Sequence, residues 1–318
     1  MHLKEKVKNL PLLPGVYLMK NSDGKIIYVG KAKNLKNRVS TYFHQNKQHS
    51  KKVLRLVRSI ADFEIVVVDT ELDALLLECQ LIQHYRPIYN RRMNYFDNYN
   101  YLHIQSDGLF LTNIPTARTY GPFRLYKKMP SILRIIEENY QMPWLSEISH
   151  LALQVQLPEM KALSFDQKKK EIQGLLQGRN KKLLGYLKKR QLHFIEQLNF
   201  EKAAILQRDI ELITYFTGRI QEQKKFLRTP RITLSMPLAS DETKIKHFLV
   251  SYGQVADTTI TEPGQTPHFY YEKDNRLSLK RQLSQEEIDP VQILISYQRK
   301  LTKDEQETKK ESGIQPIG

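Results

Sequence analysis

Two apolar-rich runs of strand length, GVYLMK (15–20) and KIIYVG (25–30), flank the polar stretch NSDG (21–24). That pattern predicts strand, turn, strand. Residues 33–43 and 50–60 carry helical spacing. The β-branched run FEIVVVD (63–69) predicts a third strand. TELDALLLECQLIQHYR (70–86) predicts an amphipathic helix, with Thr70 as N-cap, Glu71 and Asp73 in the first turn, and Pro87 marking its end. Together these make a compact α/β unit over residues 1–95.

Beyond it the pattern changes. Residues 96–164 form a linker region whose first part, to about 145, is irregular and aromatic-rich apart from a helix in KKMPSILRIIEENY (127–140). Residues 165–228 are helical throughout. The end of that stretch reads as two helices joined near Leu198–Asn199, with Leu192, Ile195, Leu198, Ala203, Leu206 and Ile210 packing the hairpin on itself. Residues 231–300 are mixed, with strand-like RITLSMPL and FLVSYGQV, and are expected as a small separate domain. From 302 to 318 the chain is polar and is expected to be a flexible tail. There is no long internal repeat. The fold class expected is α/β (α+β).

The chain has 318 residues, enough for two or three modest domains, and 40% of them are hydrophobic, enough for real cores. The formal charge of +16 favours a polyanionic partner such as nucleic acid, or an anionic membrane face. Cys79 is the one cysteine, so an internal disulfide or a cysteine-only metal site is excluded. No run approaches the roughly 18 apolar residues of a membrane span, and the N-terminus lacks a signal-peptide core. A cytoplasmic protein with no membrane partner is expected.

Candidate chemistry centres on the hairpin. Tyr17 and Tyr28 fall on its two strands, Lys31 follows Tyr28 closely, and Arg38 lies on the next helix. A tyrosine, with a reference pKa near ~10, serves as a base only where its phenolate is stabilised. An arginine fork matches phosphate oxygens. Gly30 lets the backbone come close to a ligand. The set suits attack of water on a phosphodiester and lacks only a metal ligand. Glu78 fills that role, because its helical neighbours are Ala74, Leu75, Leu81, Ile82 and Tyr85. A carboxylate there is costly unless it is paired or binds a cation. One carboxylate with phosphate oxygens and water is a normal magnesium arrangement. Each residue alone has a plainer reading: packed strand tyrosines, a solvated basic face, a Glu78 paired with Arg55 or Arg86. The ordered set points to chemistry.

That set resembles the GIY-YIG nuclease family, with Gly15-Val16-Tyr17 and Tyr28-Val29-Gly30 standing for its two name motifs. LPLLPGVYLMKNSDGKIIYVGKAKNLKNRVSTYF followed by ELDALLLECQLIQHYRPIYN resembles, more closely, the N-terminal domain of the UvrC family. The resemblance implies that Tyr28 activates or positions the water, with Tyr17 beside it. Lys31 and Gly30 line the phosphate pocket, Arg38 stabilises the transition state, and Tyr42 supports it. Glu78 holds a single divalent metal, Mg2+ or Mn2+, and Asn90 shapes the site. The activity implied is incision of one strand of damaged double-stranded DNA on the 3′ side of the lesion.

YGPF (120–123) resembles a UvrC motif just after the nuclease domain. UvrC follows it with a cysteine cluster for an iron–sulfur cluster; this sequence has no cysteine there, so none is expected. LHFIEQLNFEKAAILQRDIELI (192–213) resembles the UVR motif, the hairpin (about 192–226 here) through which UvrC meets UvrB. Phe200, Glu201, Arg208 and Asp209 match its recognition signature. Past 231 the resemblance fades. No acidic triad or GxG hairpin pair is found, and in this the chain resembles Cho, the short UvrC homologue. The function implied is a metal-dependent endonuclease of nucleotide excision repair acting with UvrB on DNA marked by UvrA and UvrB. The alternatives are a non-catalytic UvrB-binding accessory that competes with UvrC, and a GIY-YIG nuclease acting outside repair.

Overall fold

The computed structural model describes residues 2–43, 50–90, 93–94, 99–105, 108–125, 127–142, 147–270 and 283–311. The chain divides into two units, Met1–Tyr95 together with Phe226–Gly318, and Phe96–Lys225.

In the first unit, α1 (His2–Lys8) precedes the hairpin of β1 (Gly15–Lys20) and β2 (Ile26–Ala32). Asn21 closes the turn, its side-chain oxygen accepting from the Asp23 and Lys25 N–H groups, and Gly24 supplies a φ of +75°. After α2 (Leu35–Phe43) and α3 (Lys51–Ser59) comes β3 (Asp62–Val67), which pairs with the other side of β1. The antiparallel sheet therefore has the order β2-β1-β3. Both faces of β1 are buried, which is why GVYLM is apolar without alternation. Tyr17 and Met19 pack with Leu35, Val39, Tyr42 and Phe63 on one side. Val16, Leu18 and Val29 pack with Ile82 of α4 (Glu71–Tyr85) on the other. Thr70 caps α4 in a reciprocal capping box with Asp73, and Arg86 ends it in the left-handed region at φ +48°.

The second unit corrects the expectation of an irregular 96–164 linker. It opens with a sheet of β4 (Asn100–Gln105), β5 (Gly108–Thr112) and β6 (Thr119–Phe123) in the order β5-β4-β6. Among the described residues five α-helices follow, α5 (Met129–Tyr140), α6 (Glu147–Gln156), α7 (Phe165–Leu176), α8 (Lys182–Glu196) and α9 (Phe200–Arg228), with a 3-10 turn at Pro158–Ala162 between α6 and α7. Leu102, Phe123, Ile132, Ile136, Leu175, Leu187, Ile213 and Phe216 share one core. A buried carboxylate within it, Glu171, is satisfied by Tyr140, Tyr186 and Lys182.

The α8–α9 hairpin turns where expected, with Leu198 at φ +54°. Its packing differs from the expectation. Ala203, Leu206 and Ile210 are buried, but Leu192, Ile195 and Leu198 face solvent. The inward stripe of α8 is Leu183, Leu184, Leu187 and Phe194, and this stripe places the other three residues on the outer face.

The chain then returns to the first unit. FLVSYGQV is two strands: β7 (Ile232–Pro237) pairs with β8 (Ile245–Ser251), which pairs with β9 (Gln254–Thr261) across a turn at Tyr252–Gly253. Both turn residues have positive φ, +48° and +83°, as a tight two-residue hairpin requires. The expected polar tail is helical as far as Glu311, within α10 (Gln285–Glu311), while 312–318 lie outside the described residues. Residues 231–300 are not a separate domain in this arrangement. Ala239 N–H donates to the Asp69 carbonyl at 3.0 Å, and Lys246 reaches Asp69 at 2.7 Å and Asp73 at 3.0 Å. Gln83 of α4 donates to the Glu286 carbonyl at 3.1 Å. Among the described residues no helix is long and apolar enough to cross a membrane.

Candidate active site

A cavity of about 900 Å³ opens in the first unit, lined among others by Tyr17, Tyr28, Lys31, Arg38, Glu78 and Asn90. The hairpin register builds one wall. Tyr17 of β1 lies opposite Gly30 of β2, and α2 brings Tyr42 over both tyrosines. The three ring centroids stand 5.8 to 6.3 Å apart, and the Tyr17 and Tyr42 hydroxyls share a hydrogen bond of 2.9 Å. The Arg38 guanidinium carbon lies 5.5 Å from the Tyr42 ring centroid.

Gly30 is placed differently from the expectation. A Cβ there would lie 2.4 Å from the Tyr17 hydroxyl and 2.5 Å from its ring. The missing side chain makes room for Tyr17; Gly30 is not among the cavity-lining residues.

Burial, followed by the neighbouring tyrosines, pushes the Tyr17 phenol well above its ordinary pKa. Burial, then Tyr42, then the Glu78 charge do the same to Tyr28. Both are therefore neutral phenols at neutral pH, able to orient a water. Glu78 sits on α4 with its Oε1 accepting the Lys31 backbone N–H at 2.9 Å. Burial pushes its carboxyl pKa up, opposed by that N–H and by the Lys31 and Arg38 charges. Arg86, one of the two arginines weighed as a partner for Glu78, donates to the Asn94 carbonyl. Among the described residues there is no cluster of three or more His, Cys, Asp or Glu arranged for a metal. The donor set thus fits a hard cation that takes one carboxylate and completes its shell from phosphate and water.

Asn90 binds the open side of β2. Its side-chain oxygen accepts the Val29 N–H at 2.9 Å, and its amide donates to the Val29 carbonyl at 2.8 Å, so it replaces a missing strand. Asn90→Ala leaves both buried Val29 groups without partners, and a stability loss of about 2–4 kcal/mol is expected. Denaturant unfolding reads it; a loss under about 0.5 kcal/mol contradicts this role.

Glu71, read from the sequence only as a first-turn acid of α4, is the hub of a charge cluster. Its Oε1 takes Lys31 Nζ at 3.0 Å, and its Oε2 takes Lys33 Nζ at 3.1 Å and Lys300 Nζ at 3.2 Å. These bonds outweigh partial burial and hold the carboxyl at about 2. The cavity is also lined by Lys33, Asn34, Asn37, Thr41, Lys52 and Tyr89, which the sequence reading did not single out. A usable signal was the spacing Asn34, Arg38, Thr41, which puts the residue before α2 and two residues within it on one side.

In the second unit, Phe200 is 63% exposed, and Glu201 and Arg208 are exposed too. Asp209 departs from the expected set: it is 8% exposed and ion-paired with Arg134 of α5 at 2.8 Å, so its carboxylate faces inward.

Residues 13–91 match the model of the UvrC-like GIY-YIG domain. UvrABC system protein C of Clostridium tetani is 32% identical over 277 residues, covering 79% of this chain and 44% of that protein. The protein of the same name from Caldicellulosiruptor saccharolyticus is 33% identical, covering 76% of this chain and 44% of its own length. The chain therefore spans less than half the length of these relatives. A solved structure, the GIY-YIG N-terminal endonuclease domain of UvrC from Thermotoga maritima bound to magnesium as its catalytic divalent cation, is 41% identical. It covers 27% of this chain and 93% of that domain, with a TM-score of 0.25.

Proposed function

We propose, from the match of residues 13–91 to the UvrC-like GIY-YIG domain, that this chain is a divalent-metal-dependent DNA endonuclease of nucleotide excision repair. It cuts one strand on the 3′ side of a lesion and acts with UvrB. One observation carries the reading: a single cavity gathers a desolvated carboxylate from α4, a phenol and a lysine from β2, and a guanidinium from α2.

In this reading Arg38 and Lys31 bind the non-bridging oxygens of the scissile phosphate. Tyr28 orients the attacking water, and the Tyr17–Tyr42 pair fixes the angle of its ring. Glu78, tied to the Lys31 backbone, holds the cation, for which magnesium is the choice the donor set favours. A divalent cation held there would supply Lewis-acid stabilisation of the leaving oxygen. Nothing in this site reads a base sequence, and the +16 charge attracts any phosphate backbone. Lesion choice thus falls to a partner. The outer face of the α8–α9 hairpin, with Leu198 75% exposed beside Phe200, Leu192 and Ile195, offers UvrB an apolar surface to cover.

The test is a duplex carrying one bulky adduct, labelled at each end and incubated with the protein, UvrA, UvrB and magnesium. A single cut on the 3′ side is expected. Intact DNA with UvrB still bound would instead make the chain a non-catalytic accessory that competes for UvrB.

A further inference from the structure

We propose that Glu71 is a latch for Lys31 and Lys33, and that Lys300 is its keeper, the cation that stays with the carboxylate when the other two lysines turn to a DNA backbone. The inference rests on the phosphodiester reading of the cavity. Lys31 and Lys33 line that cavity; Glu71 and Lys300 do not. Both cavity lysines are nonetheless tied to Glu71, at 3.0 and 3.1 Å. Lysine is a point charge on a flexible stem, so a phosphate entering the cavity can draw either ammonium away. The Glu71 side chain is only 20% exposed, and a carboxylate there that loses its cations is left poorly solvated.

Lys300 solves that problem from outside the cavity. It comes from α10, 229 residues along the chain, and holds Oε2 at 3.2 Å. Its ammonium lies 5.3 Å from the centroid of the Tyr297 ring one turn earlier, which favours that placement. The docking of this segment has other supports, including Lys246 on Asp69 and Asp73 and Gln83 on the Glu286 carbonyl. Removing the Lys300 charge therefore leaves the segment in place. Lys300 and Glu71 are positioning residues, acting on the substrate through Lys31 and Lys33.

The experiment is a double-mutant cycle on the full chain, with Lys300→Met, Glu71→Gln and their combination. It reads anisotropy of a short fluorescein-labelled duplex, with thermal melting of each variant and cleavage in magnesium alongside. Lys300→Met is expected to weaken binding about threefold to tenfold. In the Glu71→Gln background the same change should do nothing, because no carboxylate remains to be kept. Lys300→Arg should restore wild-type binding. Equal losses in both backgrounds would mean that Lys300 acts on DNA directly, and wild-type binding by Lys300→Met would mean it has no part; either overturns the latch. Binding without cleavage by the wild-type chain would count against the endonuclease reading, while the cycle would still decide the latch.

Discussion

Glu78→Gln is expected to lower strand cleavage by at least ~10³-fold at every magnesium concentration, while duplex binding survives. The amide is isosteric, and its oxygen can still accept the Lys31 N–H that links α4 to β2. What is lost is the negative charge that, in the proposed reading, would hold the cation, and Lewis-acid stabilisation is worth several kcal/mol. The fold should not suffer. The pKa of Glu78 in the folded chain lies above its ordinary value because of burial. A carboxyl raised on folding makes ionisation costly, so stability falls as pH rises through and above the ordinary glutamate range. A neutral amide escapes that cost. At neutral pH without metal the variant should melt no lower than the wild type. Adding magnesium should raise the wild-type melting temperature by mass action and leave the variant unmoved. Single-turnover cleavage with melting curves in the two conditions checks both halves. Residual cleavage within about tenfold of wild type, or an equal magnesium shift in the variant, would remove Glu78 from the metal's coordination.

Gly30→Ala should cost about 1–3 kcal/mol of stability and roughly 10²-fold or more in cleavage rate. The new methyl would stand 2.4 Å from the Tyr17 hydroxyl, and Tyr17 is fully buried. Its ring must turn, which breaks the 2.9 Å bond to Tyr42 and shifts the ring against which Tyr28 rests. A role confined to ligand approach predicts otherwise: weakened DNA binding with an unchanged melting temperature. Measuring the two together separates the readings, and a variant with wild-type stability and rate would show that the tyrosine cluster has slack.

Elements governed by local rules were legible in the sequence. The Asn21–Gly24 turn, the Thr70 cap and the helix junction near Leu198–Asn199 all depend on nearest neighbours, and all form as read. The presence of Glu78 in the cavity agrees with the reading of a lone acid on an apolar helical face as a site residue. The strands β4–β6 were hidden because their aromatic and polar residues mask the alternation, although Ser-Asp-Gly at 106–108 between apolar runs was a hairpin signal. The role of Gly30 depends on the cross-strand register with Tyr17, which one strand cannot announce. The inward turn of Asp209 depends on Arg134, 75 residues away, and the hub at Glu71 on Lys300; no local window contains either pair.

The division of the first unit between the two ends of the chain bears on its synthesis. A ribosome releases the hairpin, α2 and α4 early, but Lys246 and Lys300 emerge 173 and 229 residues after the acids they meet. Contacts so distant in sequence close slowly and late. A nascent chain thus carries the β1–β2 hairpin and the acids around the start of α4, Asp69, Glu71 and Asp73, still lacking both distant lysines. Maturation of the site is in this sense timed by translation, and a ribosome stalled before residue 300 would display a hairpin whose latch has no keeper.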